Sequence, residues 1–93
     1  MSLTPITFRR ACRIVKESVA CIVGADGLSY PKVNEGVNGK NIIEVSFDVG
    51  DGKWKNTFDR QDTYYITNNG CLEIDKHDGT IYFLQFLAPI KVQ

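Results

Sequence analysis

The chain has 93 residues, of which 43% are apolar and 24% charged, and its formal net charge is zero. This composition is typical of one soluble globular domain covering residues 1–93, which is too short to hold a cofactor domain and a substrate domain. Zero net charge argues against whole-molecule attraction to nucleic acid or an anionic membrane. No apolar run approaches the roughly 20 residues that span a bilayer, and no secretory signal is visible, so we expect a cytoplasmic protein.

Residues 7–23 show the period of an amphipathic helix. Its apolar side chains recur every three or four residues: Phe8, Ala11, Cys12, Val15, Val19 and Ile22. Thr7 suits the N-cap, and Gly24 ends the predicted helix. The opposite side carries the charged residues Arg9, Arg10, Arg13, Lys16 and Glu17. We interpret this side as a solvated face rather than a nucleic-acid surface, because an amphipathic helix needs a polar side.

The remainder of the chain reads as strands and turns. Residues 24–40 are rich in Gly, Asn and Pro and predict a connecting loop, with a short edge strand near 28–33 because Pro31 does not fit a central strand. From Asn41 the apolar period changes to two, which predicts strands at 41–49, 53–59, 62–67, 71–75 and 80–87. The predicted fold class is therefore α+β, with one N-terminal helix packed on a four- to five-stranded antiparallel meander sheet.

The segment 71–86 poses the question of a metal or catalytic loop, because it contains the single histidine, His77, near three acids. Its spacing does not match a calcium loop, and a zinc or iron site would need further ligands. Asp78-Gly79 between two β-prone runs is typical of a type I hairpin turn with a G1 bulge. We predict a structural turn, no metal and no cofactor.

The three cysteines, Cys12, Cys21 and Cys71, lack the paired spacing of a zinc site. We expect free thiols that pack as small hydrophobes in a reducing compartment. The sequence also lacks the glycine-rich phosphate loops and the nucleophile and metalloprotease motifs of common enzymes. No catalytic residue is predicted, and we expect a protein that is not an enzyme.

The last strand is apolar on both sides, since Ile81 and Phe83 alternate with Tyr82, Leu84 and Phe86. One helix covers one face of a sheet. We expect the second face to carry Tyr82, Leu84 and Tyr64 or Tyr65, covered by the 24–40 loop or exposed to bind a protein. The predicted partner-binding aromatic residues are Trp54, Tyr64, Tyr65, Tyr82 and Phe86. The predicted acidic fringe that would steer a basic partner is Glu44, Asp48, Asp59 and Asp62.

Two pieces of the chain resemble small bacterial modules. The first is Ile6-Thr7-Phe8 with Ala11, and the second runs from Ile74-Asp75 through Gly79 to Ile81. Together they resemble immunity proteins of bacterial toxin systems, and the second piece is also similar to the last hairpin of PepSY domains. Both resemblances imply binding rather than catalysis.

The expected function is therefore a small non-enzymatic protein-binding module, an immunity or inhibitor protein that occludes a toxin or enzyme. We expect no nucleic-acid or membrane partner. PepSY domains usually follow a signal or membrane segment, which leaves a regulatory or protease-inhibitory domain of an exported protein as one alternative. A homo-oligomer that uses the aromatic face as a self-interface is the other.

Overall fold

The computed structural model describes residues 3–24, 27–36, 38–49 and 52–91, and only the backbone of 47–49 and 52–54. Within these ranges the chain forms one helix, α1 (Phe8–Glu17), and nine strands. The strands are β1 (Leu3–Ile6), β2 (Cys21–Val23), β3 (Gly27–Ser29), β4 (Lys32–Glu35), β5 (Asn41–Val49), β6 (Gly52–Phe58), β7 (Thr63–Thr67), β8 (Leu72–Asp75) and β9 (Ile81–Phe86). The predicted α+β class is confirmed.

Helix α1 begins at the predicted cap. The Thr7 hydroxyl oxygen accepts a hydrogen bond of 3.1 Å from the Arg10 amide, which satisfies one of the free N–H groups of the first turn. The buried side chains of the helix are Ala11, Cys12 and Val15. They lie on the predicted apolar stripe, which packs into the core.

The prediction that the helix continues to Val23 is wrong. It ends at Glu17, where the Ser18 amide and hydroxyl donate to the Val15 carbonyl at 3.1 and 2.8 Å. Residues Cys21–Val23 form β2 instead, which pairs with β9 on one side and with β3 on the other. Pairing on both edges satisfies the backbone of this short apolar segment, and it outweighs the helical spacing of the side chains.

The strands form two sheets in the described part of the chain, so the single predicted meander is also wrong. Strands β7, β8 and β9 are the central meander of a six-stranded antiparallel sheet with the order β1-β7-β8-β9-β2-β3. A second, three-stranded antiparallel sheet has the order β4-β5-β6. Because β1 and β2 flank the meander, the connection through α1 crosses three strands. The predicted loop 24–40 supplies β3 to the first sheet and β4 to the second, with Pro31 between them.

The core lies between one face of the six-stranded sheet and a layer made of α1 and the three-stranded sheet. Its buried side chains come from both sheets and from the helix. Aromatic contacts join the layers: Phe8 lies 5.5 Å from Tyr64, and Phe58 lies 5.1 Å from Tyr82 in an edge-to-face arrangement, measured between ring centroids. The covered face of the sheet is thus the one that carries Tyr64. No helix in the described ranges is long and apolar enough to cross a membrane.

Candidate functional site

The segment around His77 is a hairpin turn between β8 and β9, as predicted. The Lys76 amide donates to the Thr80 carbonyl at 2.8 Å, and the Gly79 amide donates to the Lys76 carbonyl at 2.9 Å. Gly79 has a φ of 96°, in the left-handed region where a residue with a Cβ would be strained. Asp78 accepts a 2.9 Å hydrogen bond from the Thr80 amide and caps the turn.

This turn is tied to the turn between β6 and β7 through Asp62. One oxygen of the buried Asp62 carboxylate accepts from the His77 amide at 3.0 Å and lies 2.9 Å from His77 Nδ1. The other accepts from the Asp59 amide at 2.9 Å. Burial alone would raise the Asp62 pKa, but the hydrogen bonds from Asp59 and His77 outweigh it, and the pKa lies below its usual value.

Asp59, Asp62 and His77 each present one potential metal ligand, and these atoms lie within 4.8 Å of one another. Both oxygens of Asp62 are already hydrogen-bonded to backbone amides, however. One oxygen of Asp59 likewise accepts from the Gln61 amide at 2.8 Å. The carboxylates therefore hold the two turns in place, and the cluster is explained by its turn-bracing hydrogen bonds.

The second face of the six-stranded sheet carries a group of large exposed apolar side chains. Their exposed fractions lie between 43% and 54%, and they are Ile22, Leu28, Ile81 and Phe83. Tyr65 lies on the same face, half-buried. We call this surface the open face, defined by these five residues together with Glu73 and Asp75. Several large exposed apolar side chains on one sheet face are typical of a protein interaction site.

Two carboxyl groups lie within the open face. Glu73 pairs with Tyr65 on one side and with Phe83 on the other, and only 7% of it is exposed. Burial raises the Glu73 pKa to about 7, with further contributions from a hydrogen bond and the charge of Asp75. Oδ1 of Asp75 is buried and has no hydrogen-bond partner among the described residues. The pair therefore combines a carboxyl group of raised pKa with a buried oxygen that lacks a hydrogen-bond donor among the described residues.

The structure separates the residues that the sequence grouped as a binding surface. Tyr64 and Phe86 are buried in the core, and Tyr82 is half-buried on the same covered face, where it packs against the core. Tyr65 is the member of the aromatic group that lies on the open face. The side chains of Trp54 and Asp48 lie outside the described residues.

The acids of the predicted fringe whose side chains the structure describes, Glu44, Asp59 and Asp62, already have partners within the chain. Glu44 lies on the three-stranded sheet between two lysines, with its oxygens 3.7 Å from Lys32 Nζ and 3.6 Å from Lys55 Nζ. Asp62 and Asp59 hold the turn described above. The acids of the open face, Glu73 and Asp75, were missed. Their alternation with Leu72 and Ile74 in β8 marks the outward side, and this signal was available in the sequence.

Two cavities lie beside α1. The larger, about 780 Å³, lies between the end of the helix and the segment 86–91. The smaller, about 530 Å³, opens between α1, the first residue of β5 and the β6–β7 turn. His77 lines neither of them. Cys12 lines the smaller cavity, and no carboxylate is found among the other lining residues that the structure describes. Among the described lining residues, neither cavity combines a thiol or imidazole with carboxylates, the arrangement that would favour an enzyme.

Comparisons with known proteins found no match, so the functional interpretation depends on the geometry of the chain itself. No family model matches the chain, no curated protein matches its sequence, and no solved structure matches its fold.

Proposed function

We propose that the protein is a small non-enzymatic binding module that uses the open face to bind another protein. The observation that carries the proposal is the combination of four exposed apolar side chains with two poorly solvated carboxyl groups on one sheet face. Apolar area supplies affinity when it is buried, and the carboxyl groups supply specificity because they need a partner once water is excluded.

The chemistry of the open face selects the partner. An arginine or lysine that reaches Glu73 and Asp75 from above would lie between Tyr65 and Phe83, since these two side chains flank Glu73 in the strand register. A cation at this position favours the ionised form of Glu73 and satisfies the free oxygen of Asp75. The partner is therefore a protein with an apolar surface and one central basic side chain.

Occlusion of a toxin or enzyme is the mode of action that we propose for this surface. A rigid sheet face binds without large rearrangement, and it blocks whatever site it covers. This agrees with the resemblance of Ile6-Thr7-Phe8 and of the 74–81 hairpin to immunity proteins. A PepSY-like inhibitory role would use the same face, and a signal segment before the chain would favour it.

The test compares bait proteins that differ only on the open face. Wild-type chain, Phe83→Ser and Glu73→Gln are immobilised and exposed to a lysate of the source organism. The matched control is Val19→Ser, because Val19 is 74% exposed and lies outside the open face. A stoichiometric protein retained by wild type and Val19→Ser but lost with Phe83→Ser, and weakened by Glu73→Gln, supports the proposal.

Retention that is equal for wild type and Phe83→Ser would overturn the assignment of the open face. Light scattering on the purified chain addresses self-association. A stable dimer that Phe83→Ser converts to a monomer would assign the open face to a second copy of the chain and remove the inhibitor function.

A further inference from the structure

The smaller cavity beside α1 is surrounded by positive charge. Three of its lining residues, Arg9, Arg13 and Lys16, come from one side of the helix, and a fourth, Arg60, comes from the turn between β6 and β7. No carboxylate is among the lining residues, and none of these four side chains forms an ion pair within the described part of the chain. In a protein with equal numbers of acids and bases, this is a local excess of unpaired cations.

Hydrogen bonds fix the backbone of the two elements that carry these cations. The helix starts at the Thr7 cap, so Arg9 lies in its first turn. Arg60 lies in a turn closed by the hydrogen bond from the Asp62 amide to the Asp59 carbonyl at 3.1 Å. The carboxylates that flank Arg60 in sequence accept hydrogen bonds from turn amides instead of lining the cavity. The four exposed cations therefore surround the cavity from two fixed elements, and no carboxylate is among its described lining residues.

Holding like charges together costs free energy. Arg9 and Arg13 are four residues apart on the helix, where two like charges repel each other. An anion bound between the helix and Arg60 would relieve this repulsion, and guanidinium groups present paired N–H donors that match phosphate oxygens. Asn41 adds an amide at the rim, and Phe8 adds an aromatic ring.

We propose that this cavity binds a small multiply charged phosphate compound with a di- or triphosphate group. Its volume of about 530 Å³ falls in the usual range for small-molecule sites. From Arg9 to Lys16 the cations span only about 10 Å along the helix, and this short span favours a compact ligand over a long nucleic-acid backbone. Burial raises the pKa of the Cys12 thiol, with Lys16 acting in the opposite direction, so Cys12 remains a neutral wall of the site.

The site is independent of the open face. The helix covers the inner face of the six-stranded sheet, so the cavity and the open face lie on opposite sides of that sheet. A failure of one proposal therefore leaves the other untouched.

The experiment is calorimetric titration of the purified chain with pyrophosphate, and separately with ATP, at about 50 mM salt, where such contacts are weakly screened. The test variants are Arg9→Gln and Arg60→Gln, which line this cavity and not the larger one. The matched control is Arg10→Gln, because Arg10 is on the same helix but does not line this cavity. We expect saturable binding of one ligand per chain, weakened at least about tenfold in both test variants and unchanged in Arg10→Gln.

Two outcomes would overturn the proposal. Loss of affinity that is equal in Arg10→Gln and Arg60→Gln would show attraction to the general charge of the helix. Tight binding of a single-stranded oligonucleotide with steep salt dependence, but none of pyrophosphate or ATP, would show that the phosphates recognised belong to a nucleic-acid backbone.

Discussion

The two faces of the six-stranded sheet differ in how their polar groups are satisfied. On the covered face, the hydroxyl of the buried Tyr64 donates to the Asp59 carbonyl at 2.7 Å. On the open face, Glu73 has a raised pKa and an oxygen of Asp75 has no hydrogen-bond partner among the described residues. Apolar side chains alone would not separate a core from a binding surface, since both faces carry them. The raised pKa of Glu73 and the single unpaired oxygen of Asp75 make the difference, and they support a face that is completed by another molecule.

The neighbours Tyr64 and Tyr65 test this comparison most directly, because they point to opposite faces of β7. Tyr64→Ala should lower the free energy of unfolding by about 3–5 kcal/mol, since it leaves a large cavity beside Phe8. Tyr65→Ala should lower it by no more than about 1 kcal/mol. Urea denaturation followed by circular dichroism measures both values.

Tyr64→Phe is the matched control for this pair. It keeps the ring and removes the hydroxyl that donates to Asp59, so we expect a loss of about 1 kcal/mol. Equal losses for Tyr64→Ala and Tyr65→Ala would mean that the covered and open faces have been assigned incorrectly.

Asp62 tests how much the hydrogen bonds of a buried carboxylate contribute to the free energy of unfolding. Its folded-state pKa is lower than its usual 3.8, so the group stabilises the fold above about pH 4 and this stabilisation is lost as the pH falls through the folded-state pKa. Asp62→Ala should cost about 1–3 kcal/mol at neutral pH, because two turn amides lose their acceptor. The loss should shrink toward acid pH, and a loss independent of pH would contradict the assignment.

Glu73 on the open face should show the opposite slope. Its folded-state pKa of about 7 is higher than its usual 4.5, so its contribution is fully present below about pH 4.5 and is lost as the pH rises through 7. Glu73→Gln should remove this decline, which thermal unfolding from about pH 4 to about pH 8 would measure. Glu44→Gln, the same substitution on the three-stranded sheet, should leave the decline in place.

The sequence predicts local structure well where one signal is unopposed. The period of two predicts the meander β7-β8-β9, and Asp78-Gly79 predicts the hairpin turn. Prediction from the sequence fails where a local helical pattern competes with strand pairing to distant residues. The apolar residues up to Val23 fit a helical stripe, and nothing local shows that β9 and β3 will pair with Cys21–Val23.

The sequence analysis did not find the open face for a similar reason, because the pattern of β9 is ambiguous. Because β9 is apolar on both sides, its alternation does not indicate which side faces outward, and the prediction placed Tyr82 outward instead of Phe83. The neighbouring strand β8 has a polar side, and the register of the meander places Phe83 next to Glu73 on that side. Local alternation must therefore be combined across paired strands before a face is assigned.

The reactivity of the three cysteines provides the smallest effect, and it reports directly on how often the covered face becomes exposed to solvent. Cys21 is fully buried on the covered face, and burial raises its pKa to about 12, whereas Cys71, just before β8, is half-buried. Because the thiolate is the reactive form, Cys21 should react with a thiol reagent only after unfolding, and the buried Cys12 should behave in the same way. Cys71 should react first in the folded chain. Cys71→Ser should remove this early phase and lower the total number of thiols that react in denaturant from three to two. An early phase that persists in Cys71→Ser would mean that the covered face opens far more often than its burial implies, since Cys12 or Cys21 must become exposed to react.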